Sequence, residues 1–119
     1  MRPLRIIVAS PDEAVVARTA SVLANRGHRV VKRSSASIDA MEACFEGTVD
    51  LAVMDEDLQG ISGSRIAEVL LDLRSPVAAV VLDRGNAVDT HGPVLTIDPD
   101  SDRFEAALLN LVDSVTRAT

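Results

Sequence analysis

Short, nearly apolar runs recur along the chain and predict β-strands buried on both faces. Each run has four to six residues, which is the length of a strand rather than of a helix. Such strands are typical of parallel sheets, because helices cover both faces. A more polar run at residues 28–33 has the pattern of a strand at the edge of the sheet. The nearly apolar runs are residues 4–9, 49–54, 77–82 and 94–97.

Between these runs, apolar residues recur at intervals of three and four, which predicts amphipathic helices. The first helix is expected to start with Ser10 as cap and Pro11 at its first position, and to end near Arg26. Cys44 is expected to be a small core residue of the second helix. The predicted buried stripes of the second, third and last helices are Ile38, Met41 and Phe45; Ile66, Val69, Leu70 and Leu73; and Phe104, Ala107, Leu108, Leu111, Val112 and Val115.

Residues 83–93 interrupt this alternation. Besides Pro93, only Ala87 and Val88 are apolar there, and a short helix without a buried stripe is unstable in water. We therefore expect at most one helical turn. The whole pattern predicts a single α/β domain over residues 1–119 with a flavodoxin-like, five-stranded parallel sheet of order 2-1-3-4-5. Helices cover both faces, and the fourth helix is short or missing.

Composition narrows the classes of function. The formal net charge is −6, and Trp and Tyr are absent, so direct binding of nucleic acid is not expected. A single cysteine, Cys44, excludes an intramolecular disulfide and a cysteine-cluster metal site. The longest apolar runs are far shorter than the roughly 20 residues of a membrane span, and residues 1–4 lead directly into a strand. We therefore expect a cytoplasmic protein without a membrane anchor.

Carboxylates follow the third strand, at the edge where open α/β sheets bind ligands. The segment contains Asp55, Leu58, Gln59-Gly60 and Gly63. It resembles the phospho-acceptor strand and loop of response-regulator receiver domains, which have an aspartate, a leucine, Pro-Gly and a second glycine before a helix. Gln59 departs from this pattern, because the family usually has proline there.

The resemblance implies that Asp55 is the phospho-acceptor candidate. Asp55 and Asp57 would then be the candidate Mg²⁺ ligands, and we expect Mg²⁺ to bind weakly, if at all. The other reactive positions of the family carry different chemistry here: the acidic pair falls on Ser10 and Pro11, the hydroxyl on Val81, the lysine on Asp98 and the aromatic switch residue on Leu95.

The lost lysine leaves a predicted acidic pocket of Asp12, Asp55, Asp57 and Asp98. Carboxylates that share a site disfavour one another's ionised forms. Three solutions are open at this point: a cation binds among the carboxylates, one of them is protonated, or the loops hold them apart.

These observations favour a degenerate receiver, or pseudo-receiver, of the two-component or phosphorelay type. It would act by contacts with proteins, such as a sensor kinase or an output domain, without phosphorylation. Val88 and Leu109 are the candidate interface residues, and a homodimer is an open alternative. Two rivals remain: an atypical receiver phosphorylated on Asp55, and a small Rossmann-like binder of a nucleotide or metabolite. We expect no catalytic residues, since no nucleophile lies beside a base, and hence no enzyme.

Overall fold

The computed structural model describes residues 2–84 and 94–118. Its five strands form one parallel sheet of order β2-β1-β3-β4-β5, as predicted. The fourth helix was expected to be short or missing within residues 83–93, and residues 85–93 of this segment lie outside the described part of the chain. The elements are β1 (Arg5–Ala9), α1 (Glu13–Asn25), β2 (Arg29–Ser34), α2 (Ser37–Phe45), β3 (Leu51–Asp55), α3 (Gly63–Asp72), β4 (Ala78–Leu82), β5 (Leu95–Ile97) and α4 (Phe104–Ala118).

Two apolar cores lie on opposite faces of the sheet, because successive strand side chains point to opposite sides. Ile6 and Val8 of β1 pack into the core that α1 and α4 cover. Ile7 and Ala9 pack into the core that α2 and α3 cover. The central strand β3 is buried at all five positions, which explains the continuous apolar run of residues 51–54 that precedes Asp55. No described helix is long and apolar enough to cross a membrane.

The start of α1 differs from the prediction. Asp12 is the N-cap, and its side chain accepts hydrogen bonds from the backbone N–H groups of Ala14 and Val15. The expectation that Ser10 caps this helix is therefore wrong. The Ser10 side chain is buried and donates a hydrogen bond to Asp55 instead. An aspartate is as good a cap as serine, so local sequence could not decide between them.

The buried face of α2 is also not the predicted one. Ile38 and Phe45 are 61% and 54% exposed, whereas the small residues Ala40, Ala43 and Cys44 pack toward the sheet. Burial raises the pKa of the Cys44 thiol to about 11. On α3, Ile66 and Leu70 are buried as predicted, but Leu73 follows the last helical turn and is 62% exposed.

His28 is buried just before the edge strand β2, although the polar pattern suggested an exposed position. Its Nδ1 accepts a hydrogen bond of 3.0 Å from the backbone N–H of Leu4. Its Nε2 is buried without a hydrogen-bond partner in the described residues. Burial lowers the pKa of His28, which Arg26 also lowers and Asp113 opposes.

The carboxyl ends of the strands meet at one edge of the sheet. Ala9 pairs with Met54, Asp55 with Leu82, and Leu82 with Ile97. The residues that directly follow β1, β4 and β5 are therefore brought beside Asp55 at the end of β3. This edge contains the candidate site.

Candidate functional site

Asp55 is the last residue of β3 and is only 2% exposed. Its Oδ2 accepts a hydrogen bond of 2.8 Å from the Ser10 hydroxyl. Its Oδ1 accepts one of 2.9 Å from the backbone N–H of Asp57. Both carboxylate oxygens are thus engaged by neighbouring loops, as a buried charge requires.

Arg84, two residues after β4, contacts three carboxylates, those of Asp12 and Asp100 in two loops and of Asp55 at the end of β3. Its Nη2 lies 2.6 Å from Asp12 Oδ2, and its Nε lies 3.2 Å from Asp100 Oδ2. Its Nη1 lies 3.7 Å from Asp55 Oδ2. A guanidinium presents several donors in a fixed planar fork, which suits contact with several carboxylates at once. For Asp12 and Asp55, two of the four residues of the predicted acidic pocket, the structure has a cation of the chain itself between the carboxylates.

The Mg²⁺ ion that the family resemblance implies does not fit this arrangement. A divalent ion at Asp55 would have to approach Oδ2 beside the positive charge of Arg84. Asp57 is exposed, and its described contact with Asp55 is made by its backbone N–H. In residues 2–84 and 94–118, no group of three or more His, Cys, Asp or Glu side chains could hold a metal ion.

The predicted acidic pocket is only partly assembled by the described contacts. Asp12 and Asp55 are joined through Arg84. Asp98 Oδ1 accepts a hydrogen bond of 2.8 Å from the backbone N–H of Asp100, which orders the turn before α4. Asp100 then reaches Arg84 with its own carboxylate. Asp98 thus helps to position a residue of the site.

The other family positions carry apolar side chains where the resemblance placed them. Val81 is 1% exposed in the core under α2 and α3, and pairs with Met54 on one side and Thr96 on the other. It supplies no hydroxyl to Asp55. Leu95 is half-buried in β5 and contacts the core under α1 and α4. Neither position offers a group that could contact a phosphoryl group.

Two glycines of the β3–α3 loop are required by close backbone approaches. A Cβ at Gly63 would lie 2.6 Å from the carbonyl oxygen of Asp55. Gly60 has φ of +104°, and a Cβ there would lie 2.5 Å from the Ser37 Oγ. That Oγ donates to Gln59 O and accepts from the Ile61 N–H, which closes the loop against α2. The glycine pattern therefore fixes the loop that presents Asp55.

Sequence reasoning missed Arg84 and Asp100, and it assigned Ser10 both to a helix cap and to the acidic-pair position of the family. One signal could have found Arg84: it is a basic residue just after a strand of the same sheet edge, where unbalanced carboxylates need a cation. For the predicted interface, Leu109 is half-buried on α4, and Val88 lies outside the described residues. That expectation stays a prediction.

No protein-family model matches the chain, and no curated protein matches it. Solved structures do. The signal receiver domain of the putative response regulator NarL from Mycobacterium tuberculosis aligns with a TM-score of 0.73 at 18% identity, over 98% of each chain. A LuxR-family two-component response regulator from Aurantimonas aligns at 0.78 and 18% identity, over 98% of this chain and 87% of that one.

The solution structure of the receiver domain of the response regulator PhyR from Erythrobacter litoralis aligns with a TM-score of 0.75 at 15% identity. The match covers 97% of this chain and 91% of that one. At such identities the likeness concerns the fold. Strand order, helix placement and these matches agree, and the chain has the receiver-domain fold of response regulators.

Proposed function

We propose that the chain is a receiver-type module of two-component signalling that acts by binding other proteins, without phosphorylation of Asp55. The observation that supports this most is the guanidinium of Arg84, shared by Asp12, Asp55 and Asp100. It stands where a phosphorylated receiver would need a metal ion and a lysine around the acceptor carboxylate.

The charges of the site argue against a stable acyl phosphate. Three carboxylates face one guanidinium, so the site has more formal negative than positive charge before any modification. A phosphoryl group would add further negative charge, of about −1.5 to −2. Phosphoryl transfer depends on electrostatic stabilisation of the charge on the phosphoryl group. Asp12 and Asp100 compete with Asp55 for the guanidinium of Arg84, the one described cation at the site.

The atypical, phosphorylated receiver is the second candidate, because an arginine near an acceptor could also stabilise a phosphate. The hydrogen bonds at Asp55 disfavour it. Oδ2 is bonded to Ser10, whose hydroxyl oxygen also accepts the N–H of Asp12 at 3.1 Å. Attack by Oδ2 on a phosphodonor would break this bond in a site that is 2% exposed at Asp55.

The nucleotide-binding rival would use the glycine-containing loop at the start of α3 to hold a phosphate. Two of the N–H groups at the start of α3, those of Ser64 and Arg65, already have side-chain acceptors. Ser62 accepts from the Arg65 N–H at 3.3 Å, and Glu56 accepts from the N–H of Ser64 at 3.3 Å and from its hydroxyl at 2.7 Å. A carboxylate at this position repels an anion, so we do not favour nucleotide binding.

The partners we propose are a sensor kinase or an output domain, with a second copy of this chain as the alternative. The matched structures are response regulators and receiver domains by their descriptions, and this supports protein partners of that class. We propose no enzymatic activity. Because the site already contains its own cation, partner binding should not depend on phosphorylation.

Intact-mass spectrometry after incubation with acetyl phosphate and Mg²⁺ tests the proposal. The wild type should gain no phosphoryl group, and Asp55→Asn should gain none either. A mass increase of one phosphoryl group in the wild type that is absent from Asp55→Asn would establish the atypical receiver and overturn the proposal. A receiver domain known to accept phosphate from acetyl phosphate serves as the positive control in the same buffer.

A further inference from the structure

Exposed apolar side chains are concentrated on the side of the molecule that α2 and α3 cover. Six large hydrophobic residues are exposed in residues 2–84 and 94–118, and five of them belong to α2, the β3–α3 loop or the C-terminal end of α3. α4, the helix of the sequence-predicted interface, contributes none of the six. These five are Ile38, Phe45, Ile61, Leu71 and Leu73.

Most of these side chains form one continuous surface. Ile38, Met41 and Phe45 are spaced by three and four residues along α2, so they lie on the same helix face. A groove of about 200 Å³ separates this face from α3 and is lined by Met41, Phe45, Ile61, Arg65, Ile66 and Val69. Phe45 also lines a second cleft, of about 340 Å³, together with Leu73. We call this surface, from Ile61 through Phe45 to Leu73, the α2–α3 strip.

The charged side chains that α2 and its C-cap residue place beside the strip are acidic. α2 and its C-cap residue carry Asp39, Glu42 and Glu46 and no basic residue. Asp39 is paired with Lys32 at 3.7 Å, but Glu42 and Glu46 are exposed and have no ion pair within the described residues. On α3, Arg65 is already paired with Glu68 at 3.3 Å.

We propose that the α2–α3 strip binds an amphipathic helix of a partner protein, whose apolar face is flanked by Lys or Arg residues. A groove between two helices with apolar anchors at helical spacing is the usual receptor for such a helix. Glu42 and Glu46 would meet the basic flank of that helix. This inference rests on the proposed function, because it specifies the kind of protein that the module would bind.

A second copy of this chain is a poorer occupant of the strip. Each copy has a formal net charge of −6, and α2 carries only acids, so two such faces would repel each other at close range. A basic helix instead gains electrostatic attraction at the rim and apolar burial at Phe45. Aromatic side chains at the centre of an interface supply a large share of binding free energy.

The test uses two fluorescent synthetic helical peptides with the same leucine face. One has lysine at all other positions and the other has glutamate, and binding is followed by fluorescence anisotropy and by NMR shifts of the protein. The lysine peptide should bind and shift Met41, Phe45 and Val69, and the glutamate peptide should not bind. Phe45→Ser should weaken binding by about tenfold or more, as expected for an aromatic anchor, and Glu42→Lys with Glu46→Lys should weaken it further.

Leu71→Ser is the matched control. Leu71 is 51% exposed on α3 but does not line the groove, so this change should leave binding unaltered. Circular dichroism confirms that each variant is folded. The proposal is overturned if the lysine peptide does not bind, if both peptides bind equally, or if binding depends on Leu109→Ala and not on Phe45→Ser. Sedimentation that shows a dimer lost in Phe45→Ser would assign the strip to self-association and would also overturn it.

Acetyl phosphate is added to the same samples, so that the two proposals can fail separately. Phosphorylation of Asp55 would refute the proposed function and leave the peptide result to be judged by itself. If the lysine peptide does not bind and Asp55 is not phosphorylated, only the proposal for the α2–α3 strip is refuted.

Discussion

Replacing Arg84 by methionine is the perturbation that follows most directly from the site. Methionine keeps an unbranched side chain but removes the charge and the donors that contact Asp12, Asp55 and Asp100. Of its contacts with described residues, Asp55, 2% exposed, would retain the hydrogen bonds from Ser10 and Asp57. The variant should therefore be less stable than the wild type.

The size of the effect lies between two limits. Exposed ion pairs contribute about 0.2–1 kcal/mol, and removal of one partner from a buried pair costs about 3–5 kcal/mol. The Arg84 side chain is 36% exposed and lies 3.7 Å from Asp55, so solvent screens part of the interaction. We expect a loss of about 1–2 kcal/mol, which for a domain of this size lowers Tm by about 4–8 °C.

Thermal and urea unfolding, followed by circular dichroism, measure this loss. Arg103→Met is the matched control, because the Arg103 side chain is exposed in the turn before α4 and has no ion pair in the described residues. It should change stability by less than about 0.5 kcal/mol. The difference in the free energy of unfolding between Arg84→Met and the wild type should be smaller in high salt, since screening weakens the partly exposed ion pairs of Arg84.

A double-mutant cycle with Asp55→Asn separates the pair from other effects. Asparagine removes the buried charge, so Arg84→Met should destabilise the Asp55→Asn protein by about 1 kcal/mol less than it destabilises the wild type. The reasoning is refuted if Arg84→Met leaves Tm unchanged, or if its effect is the same in both backgrounds.

Two further predictions concern residues near the site and the opposite end of the sheet. Gly63→Ala should cost about 1–3 kcal/mol, because the new Cβ would lie 2.6 Å from the Asp55 carbonyl oxygen; urea unfolding checks this, and a loss below about 0.5 kcal/mol would contradict it. The lowered pKa of His28 means that the unfolded chain binds a proton at higher pH than the folded chain, so stability should fall as pH drops below about 6.5. His28→Gln lacks this dependence, so the difference in the free energy of unfolding between this variant and the wild type, measured with urea, should narrow from pH 7.5 to pH 5. A constant difference would mean that His28 titrates alike in the folded and unfolded states.

The strands were predictable because the sheet leaves them little freedom. Strand residues that are buried on both faces are mostly apolar, and β3 shows this from Leu51 to Met54, before the buried Asp55 at its end. The faces of α2 were not predictable in this way. Large apolar residues at helical spacing suggested burial of Ile38 and Phe45, but small side chains at Ala40 and Ala43 let the helix pack close to the sheet.

In the candidate site, Asp55 and Asp12 were predicted from the sequence, and Arg84 and Asp100 were not. Asp55 follows from the pattern of its strand and loop, whereas Arg84 depends on the register between β3 and β4, which brings the residues after Leu82 beside Asp55. Ser10 was placed near Asp55 by the resemblance, which aligns it with the acidic pair of the family, whereas its local sequence favoured a helix cap over a hydrogen bond to a residue 45 positions away. Contacts made across strand ends are tertiary, and local patterns do not specify them.

The central claim is that the guanidinium of Arg84 is the cation beside the Asp55 carboxylate, at the place where a metal ion would bind. A Mg²⁺ titration followed by NMR tests it most directly, in the wild type and in Arg84→Met side by side. The wild type should not approach saturation at millimolar Mg²⁺, and Arg84→Met should bind Mg²⁺ more tightly, with shifts at Asp12, Asp55 and Asp100. Saturation of the wild type at sub-millimolar Mg²⁺, or identical titrations for the two proteins, would contradict the account.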